Sequence, residues 1–113
     1  IGRMTLNQLK VLLGAVATRV AGWSFQRLTA LAEVPWVEEF GAPALGASGD
    51  YCQIEAAVLQ RQSEGDREVL SITATADDWE TVVGTVLVAY SDGTIEWDRK
   101  TYLYVVGVPQ PLE

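Results

Sequence analysis

The stretch VVGTVLVAYSDGTIEW, residues 82–97, decides the fold because it encodes a β-hairpin. Asp92-Gly93 is a pair that two-residue type I′ turns favour, and β-branched and aromatic residues flank it on both sides. The predicted cross-strand pairs are Tyr90–Ile95, Val88–Trp97, Ala89–Glu96 and Leu87–Asp98. One face of this hairpin is apolar and the other is mixed, and that difference predicts the register.

A second, weaker hairpin is predicted upstream, with its turn at Glu64-Gly65. A two-residue loop there brings opposite charges and matched apolar residues face to face, as cross-strand pairing prefers. The predicted pairs are Arg61–Glu68, Leu59–Leu70 and Ala57–Ile72. A turn one residue later would set Arg61 against Leu70, which is a poorer match. Residues 51–62 are predicted as a strand, with a helix as the alternative because capping-box spacing precedes an Ala-rich run.

The N-terminal part of the chain predicts two helices. Thr5 and Gln8 form a T-x-x-Q capping box, in which each side chain satisfies a backbone donor at the helix start. Apolar residues then follow at alternating steps of three and four, which is the stripe of an amphipathic helix. The stripe consists of Leu6, Leu9, Leu13, Val16, Val20 and Trp23. Ser24 predicts the cap of a short second helix that ends before Pro35, with a strand as the alternative.

Two further segments complete the predicted order. Residues 35–50 combine Pro, Gly, Ala and Ser with two large aromatic rings, and they predict a long connection that those rings pin to the domain. Residues 101–108 (TYLYVVGV) predict a final strand that is apolar on both sides. Pro109 and Pro111 are expected to end it.

Together these segments predict a single α+β domain over residues 1–113. One or two N-terminal helices pack on a curled antiparallel sheet of about five strands. A helix-first order followed by such a sheet resembles the layout of cystatin-like and nuclear-transport-factor-2-like folds. The resemblance is one of layout and rests on no motif, so it implies no function.

The chain contains no histidine, and Cys52 is its only cysteine. Without histidine there is no Ser-His-Asp or Cys-His nucleophile arrangement and no imidazole that titrates near neutral pH. One chain can form neither a His/Cys zinc site nor a disulfide. Phosphate-loop and dinucleotide motifs are also absent from the sequence, so no cofactor is expected. Cys52 is predicted to be a small buried apolar residue, since no nearby base in the sequence would lower its pKa.

Carboxylates and aromatic rings are the remaining candidates for chemistry. Glu55 is the candidate general acid or base, because the predicted register places it among apolar residues that would raise its pKa. A glutamate at a sheet edge that reaches solvent explains Glu55 equally well. The candidate ligands of a hard cation such as calcium or magnesium are Asp77, Asp78 and Glu80, for which a solvated turn is the simpler interpretation. The candidate ligand-binding residues are Trp36, Tyr51, Tyr90, Trp97 and Tyr102, for which core packing is the simpler interpretation.

The net charge of −7 is unevenly distributed along the chain. Residues 1–32 carry four basic side chains and no acidic one, a net charge of +4. Residues 33–113 carry four basic side chains against all 15 acidic ones, a net charge of −11. Nucleic-acid-binding domains are normally basic, so no nucleic-acid partner is expected. A basic helix across an acidic sheet is the simplest interpretation, and an acidic surface that binds a basic protein is the alternative.

The sequence also bears on location. No apolar run approaches the roughly 20 residues of a membrane span, so no membrane association is expected. Residues 10–17 (KVLLGAVA) imitate a signal peptide, but an amphipathic helix explains them better. A lone cysteine favours a reducing compartment, which predicts a cytoplasmic protein.

The predicted function follows from the strands at residues 82–89 and 103–108, in which both the odd-numbered and the even-numbered positions are rich in apolar residues. A sheet that faces water on one side should alternate, so both faces of this sheet need cover and the helices supply only one. A second subunit is the predicted cover. The sequence therefore predicts a small, soluble, non-enzymatic, self-associating interaction module, a homodimer or larger. The alternatives are a pocket protein or lyase/isomerase that binds an apolar small molecule, and an acidic inhibitor of immunity type with a basic partner.

Overall fold

The computed structural model describes residues 5–40, 52–78, 82–97, 103–105 and 108–110. Two helices are followed by seven strand segments, each paired antiparallel to its neighbours. They are α1 (Leu6–Ala21), α2 (Phe25–Ala30), β1 (Trp36–Phe40), β2 (Cys52–Glu64), β3 (Arg67–Asp77), β4 (Val82–Tyr90), β5 (Ile95–Glu96), β6 (Leu103–Val105) and β7 (Val108–Gln110). The sheet has the order β1-β2-β3-β4-β6-β7, and β5 also pairs with β4. The predicted α+β class, with two helices on a curled antiparallel sheet, is confirmed.

Helix α1 begins at the predicted capping box. The Thr5 N–H donates to Gln8 Oε1 at 2.7 Å, and the Gln8 N–H donates to Thr5 Oγ1 at 3.1 Å. These two bonds satisfy donors that the first helical turn would otherwise leave unpaired. The predicted apolar stripe is buried at Leu9, Leu13, Val16 and Val20.

Helix α2 is a single short segment that follows α1 closely. Gly22 ends α1, and the Ser24 side chain then caps α2 by accepting a hydrogen bond from the Arg27 N–H at 3.1 Å. Leu28 is the buried residue of this helix. The predicted second helix is confirmed, and it ends before Pro35 as expected.

Both helices pack on the same side of the sheet, which we call the inner face. Alternating residues of β2, β3 and β4 point to that side and join the helix stripe in one buried cluster, as period-two alternation requires. The sheet members of the cluster are Cys52, Ile54, Ala56, Leu70, Ile72, Ala74, Ala76, Val83, Leu87 and Ala89. The main contacts of α1 are with β3 and β4, so the core lies under the centre of the sheet.

The prediction of a long connection over residues 35–50 is wrong at its start. Residues 36–40 form strand β1, which pairs with β2 from Trp36 opposite Ala56 to Phe40 opposite Cys52. Proline at 35 suits the position just before an edge strand, because it need not donate to a sheet ladder. Residues 41–51 lie outside the described residues.

The predicted strand over residues 51–62 is confirmed, but the predicted hairpin register is wrong. The turn is Gly65-Asp66, one residue later than predicted, and Arg61 lies opposite Leu70. Gly65 has φ +65°, and a two-residue loop with glycine first is the arrangement of a type II′ turn. A β-bulge at Leu59 then shifts the pairing so that Val58 lies opposite Ile72 and faces the core.

This bulge changes the environment that the sequence predicted for Glu55. The predicted register placed Glu55 on the face of Leu70 and Ile72, but Glu55 lies opposite Thr75 on the other side of the sheet. Leu59, which the sequence paired with Leu70, is 66% exposed at the bulge. A slip of one residue moves every side chain to the opposite face, so the predicted apolar surroundings of Glu55 are not present.

The register of the second hairpin is also shifted by one residue. The Tyr90 N–H donates to the Thr94 carbonyl at 2.9 Å, which leaves a three-residue loop, and Gly93 in this loop has φ +95°. A glycine at positive φ in a three-residue loop forms a G1 bulge, an alternative to the predicted two-residue type I′ turn. Ile95 therefore lies opposite Ala89, and Ile95 and Trp97 both pack on the core.

The final strand predicted for residues 101–108 is divided into two segments. Strand β6 pairs with β4 and then with β7, with Val105 opposite Val108. Pro109 lies within β7. The prediction that it ends the strand is therefore wrong. Proline is accepted there because β7 is at the end of the sheet order, and no described strand pairs with its other side.

Candidate functional site

The side of the sheet away from the helices, called the outer face below, is the surface on which the functional prediction depends. Its residues alternate with those of the core on strands β1 to β4. They include Val37, Gln53, Glu55, Ala57, Ser71, Thr73, Thr75, Asp77, Val82, Gly84, Val86, Val88 and Tyr90. Within the described part of the chain, both helices lie on the inner face. The outer face is therefore a broad surface without a described layer over it.

The outer face is apolar on β4 and polar on β3. Val82 is 46% exposed, and Val86 and Val88 are half-buried. The outer residues of β3 beside these valines are Ser71, Thr73 and Thr75, with Asp77 and the buried Val69 at the two ends of the row, so the predicted apolar character lies largely on the β4 side. Gly84 lets the sheet surface dip, since a Cβ there would lie 3.2 Å from the Thr75 Cγ2 methyl.

An open depression of about 330 Å³ lies on this face, lined by Gln53, Glu55, Thr75, Asp77 and Val82. It brings together Glu55 and Asp77, two carboxylates that the sequence had assigned to different candidate sites. Asp78 is the next residue but is only 7% exposed, and its charge acts on the buried Cys52 thiol. Among the described residues no group of three His, Cys, Asp or Glu side chains converges as metal ligands. Glu80 lies outside the described residues.

The aromatic candidates are distributed over both faces. Tyr90 lies on the outer face, where the Arg67 guanidinium is 4.2 Å from its ring centre. Trp97 packs on the inner side, and its indole N–H donates to Thr85 Oγ1 at 2.9 Å. Trp36 is on β1, with β2 and β3 between it and β4. Tyr51 and Tyr102 lie outside the described residues.

Trp36 belongs to a group of side chains that sequence reasoning did not find. The Arg27 guanidinium lies 3.7 Å from the Trp23 ring centre, and the Trp23 and Trp36 rings meet edge to face at 5.3 Å and 83°. Arg19 lies 5.0 Å from the Trp36 ring centre and 3.5 Å from Glu38 Oε2. We call Arg19, Trp23, Arg27 and Trp36 the Trp–Arg cluster. A guanidinium on each indole face and an edge-to-face contact between the two rings are all favourable arrangements.

Three consecutive elements build the Trp–Arg cluster. Arg19 is in the last turn of α1, Trp23 follows the C-cap, and Arg27 is in α2. Trp36 opens β1, the strand that the sequence treated as part of a connection. The spacing of four residues between Trp23 and Arg27 is the signal that could have indicated one contact. The other contacts are between elements and have no local pattern.

Ion pairs order the surface at the hairpin ends of β2, β3 and β4. Arg67 contacts Glu64 at 2.8 Å and Asp92 at 3.1 Å. The Thr94 backbone N–H, the Thr94 hydroxyl and Arg67 hold the pKa of Asp92 below its usual value. A hydrogen bond to Glu96 raises the pKa of Tyr90, because ionisation of the phenol beside a carboxylate is unfavourable.

Cys52 is buried at the start of β2, as predicted. Burial raises the pKa of the Cys52 thiol, and the nearby carboxylates of Asp78 and Asp77 raise it further, against an opposing backbone hydrogen bond from Asp77. A buried thiol with a raised pKa is a poor nucleophile at neutral pH. The arrangement is that of a structural cysteine.

Comparison with known proteins gave no match among family models, curated proteins or solved structures. No described helix has the length and apolarity that crossing a membrane requires. The outer face and the Trp–Arg cluster are the two described surfaces that bear on function.

Proposed function

We propose that the protein is a non-enzymatic, self-associating interaction module that forms a homodimer through the outer face of its sheet. The observation that carries the proposal is the position of both helices on the inner face, while Val82, Val86 and Val88 line the opposite side. A row of valines on a sheet face over which the described residues place no layer is a surface that association would remove from water. Two copies would pack sheet on sheet, as in a β-sandwich.

The dimensions of the outer face suit such a contact. Four strands about 4.8 Å apart, and nine residues at about 3.4 Å each, span about 19 by 31 Å. Specific interfaces bury on the order of 800 Å² of accessible surface per partner. The flat area of this face is smaller, but its protruding side chains add accessible surface, so the total approaches that value. The serine and threonines of β3 form a polar strip beside the valines of β4, so the face offers both apolar and hydrogen-bonding contacts to a partner.

The competing proposals have weaker support. A pocket enzyme needs an ionisable group in an enclosed, ring-lined cavity, whereas Glu55 lines an open depression whose described lining contains no aromatic ring. An acidic inhibitor needs a continuous acidic patch, whereas Glu38, Glu64, Glu68 and Asp92 each pair with an arginine. A cytoplasmic location remains part of the proposal and rests on the single cysteine.

Light scattering coupled to size exclusion, with surface variants, tests the proposed function. We expect the wild-type chain to elute as a dimer or larger at high micromolar concentration and Val86→Lys to elute as a monomer, because a lysine on the outer face would be buried unpaired. Val11→Lys is the matched control, since Val11 is 74% exposed on the outward side of α1. Loss of the dimer in Val11→Lys alone would assign association to the helix and contradict the proposed surface.

A further inference from the structure

We propose that the Trp–Arg cluster is a docking site for a carboxylate-rich segment of another protein. This inference goes beyond self-association and does not depend on it, because the cluster lies on the helix side of the sheet and the proposed dimer uses the other side. The partner is defined by its chemistry, as an acidic peptide segment that ion-pairs with Arg27 and packs against the two indole rings.

The state of Arg27 is the first observation. Its guanidinium lies over the Trp23 ring at 3.7 Å, which occupies a face of the planar group and leaves the N–H donors at its edges. Within the described residues no carboxylate pairs with Arg27. A stacked arginine is held in position, so less rotamer freedom is lost when it donates two parallel hydrogen bonds to a carboxylate.

The second observation is the charge balance around the cluster. Among the described residues Arg19 has one carboxylate near it, at 3.5 Å from Glu38 Oε2, and that oxygen accepts no hydrogen bond from them. The Trp–Arg cluster and Glu38 together therefore carry a net charge of +1, and Arg27 is the arginine for which the described residues supply no carboxylate. The helical residues 5–32 contain Lys10, Arg19 and Arg27 and no acid, in a chain whose net charge is −7. The positive charge of the helices attracts a short acidic segment, while the net charge of −11 over residues 33–113 repels an extended polyanion such as a nucleic acid.

The composition of the cluster is the third observation. Tryptophan and arginine are the residues most enriched among those that dominate binding energy at protein interfaces. Trp23 and Trp36 are both half-buried, so each ring is fixed by the fold and still presents part of its surface to solvent. Rigid rings of this kind provide contact area at a low cost in conformational entropy.

Titration of the ¹⁵N-labelled full chain with end-capped hexaglutamate, followed through the indole N–H signals, tests the proposal. We expect saturable shifts at Trp23 and Trp36 and none at Trp97. Arg27→Lys should weaken binding about fivefold, because it keeps the charge but loses the planar fork, and Arg27→Gln should weaken it further. Arg61→Lys is the matched control, since Arg61 is an exposed arginine paired with Glu68 on the distant hairpin.

The outcomes separate clearly. Saturable shifts at the two indoles that respond to Arg27 variants and not to Arg61→Lys support the site. Absence of saturable shifts, equal affinity for hexaglutamine, or equal weakening by the control variant overturns it. Tighter binding of hexathymidylate than of hexaglutamate would also overturn it, by assigning the cluster to nucleic acid. Unchanged backbone amide signals away from the site verify that each variant is folded.

Discussion

Consecutive residues of β4 provide the sharpest test of the two faces. Leu87 is 1% exposed and belongs to the core cluster, whereas Val86 is half-buried on the outer face opposite Thr73. Leu87→Ala should lower the free energy of unfolding by about 3 kcal/mol, the usual cost of a buried leucine. For a chain of this length that corresponds to a fall of about 12 °C in Tm. This loss does not depend on a partner.

Val86→Thr gives the informative comparison, because threonine keeps the shape and β-propensity of valine and exchanges a methyl group for a hydroxyl. If the outer face is buried in a dimer, the change should cost about 1.5 kcal/mol per protomer, or about 6 °C in Tm. If water covers this face, the cost should be below about 0.5 kcal/mol, or about 2 °C.

Thermal unfolding followed by circular dichroism at low and high micromolar concentration measures both variants. We expect the wild-type Tm to rise by about 3 °C for each tenfold increase in concentration, since unfolding of a dimer is coupled to dissociation. A Val86→Thr Tm within 2 °C of wild type, together with a Tm that does not change with concentration, would refute the reasoning. A small effect of Leu87→Ala would refute the assignment of the inner face.

Three further predictions concern local features. Gly93→Ala should destabilise the protein by about 1 kcal/mol in chemical denaturation, because φ is +95° there. A Cβ at this position would contact no other atom, so the loss measures backbone strain alone. Gly22→Ala, at φ −84°, is the control and should stay within about 0.5 kcal/mol of wild type, and equal effects of the two changes would contradict the G1 loop. Because the pKa of Asp92 is lowered by folding, its stabilising contribution is complete above the ordinary carboxyl pKa of about 3.9 and is lost as the pH falls through the folded value. The Tm difference between wild type and Asp92→Asn should therefore shrink on acidification, and a difference that grew would reverse the sign of the argument. Cys52 should react with a thiol reagent at neutral pH only as fast as the protein opens, and modification at the rate of a free thiol would show that it is accessible.

The elements that the sequence predicted well are those with local signals. The Thr5–Gln8 capping box fixes the start of α1, and the apolar stripe identifies the face that is buried. Ser24 marks α2 in the same way. Glycine located both hairpin turns to within one residue, because only glycine readily adopts the positive φ that each loop requires.

The registers could not be predicted because they depend on how each loop uses its glycine. Gly65 is the first residue of a two-residue turn and Gly93 is the last residue of a three-residue loop, and both arrangements are compatible with the flanking sequence. An error of one residue reverses the faces, which is why the predicted register places Glu55 among core residues and pairs Trp97 with Val88, a residue of the outer face. The Trp–Arg cluster was missed because it joins α1, α2 and β1 through tertiary contacts.

Isotope-filtered NOE spectroscopy on a mixture of labelled and unlabelled chains tests the central proposal most directly. We predict intermolecular contacts at the methyl groups of Val86 and Val88 and none at those of Leu9 and Leu13, which are buried between α1 and the sheet. Rotational tumbling of a single 12.3 kDa chain at high micromolar concentration, with no intermolecular contact to the β4 valines, would contradict it.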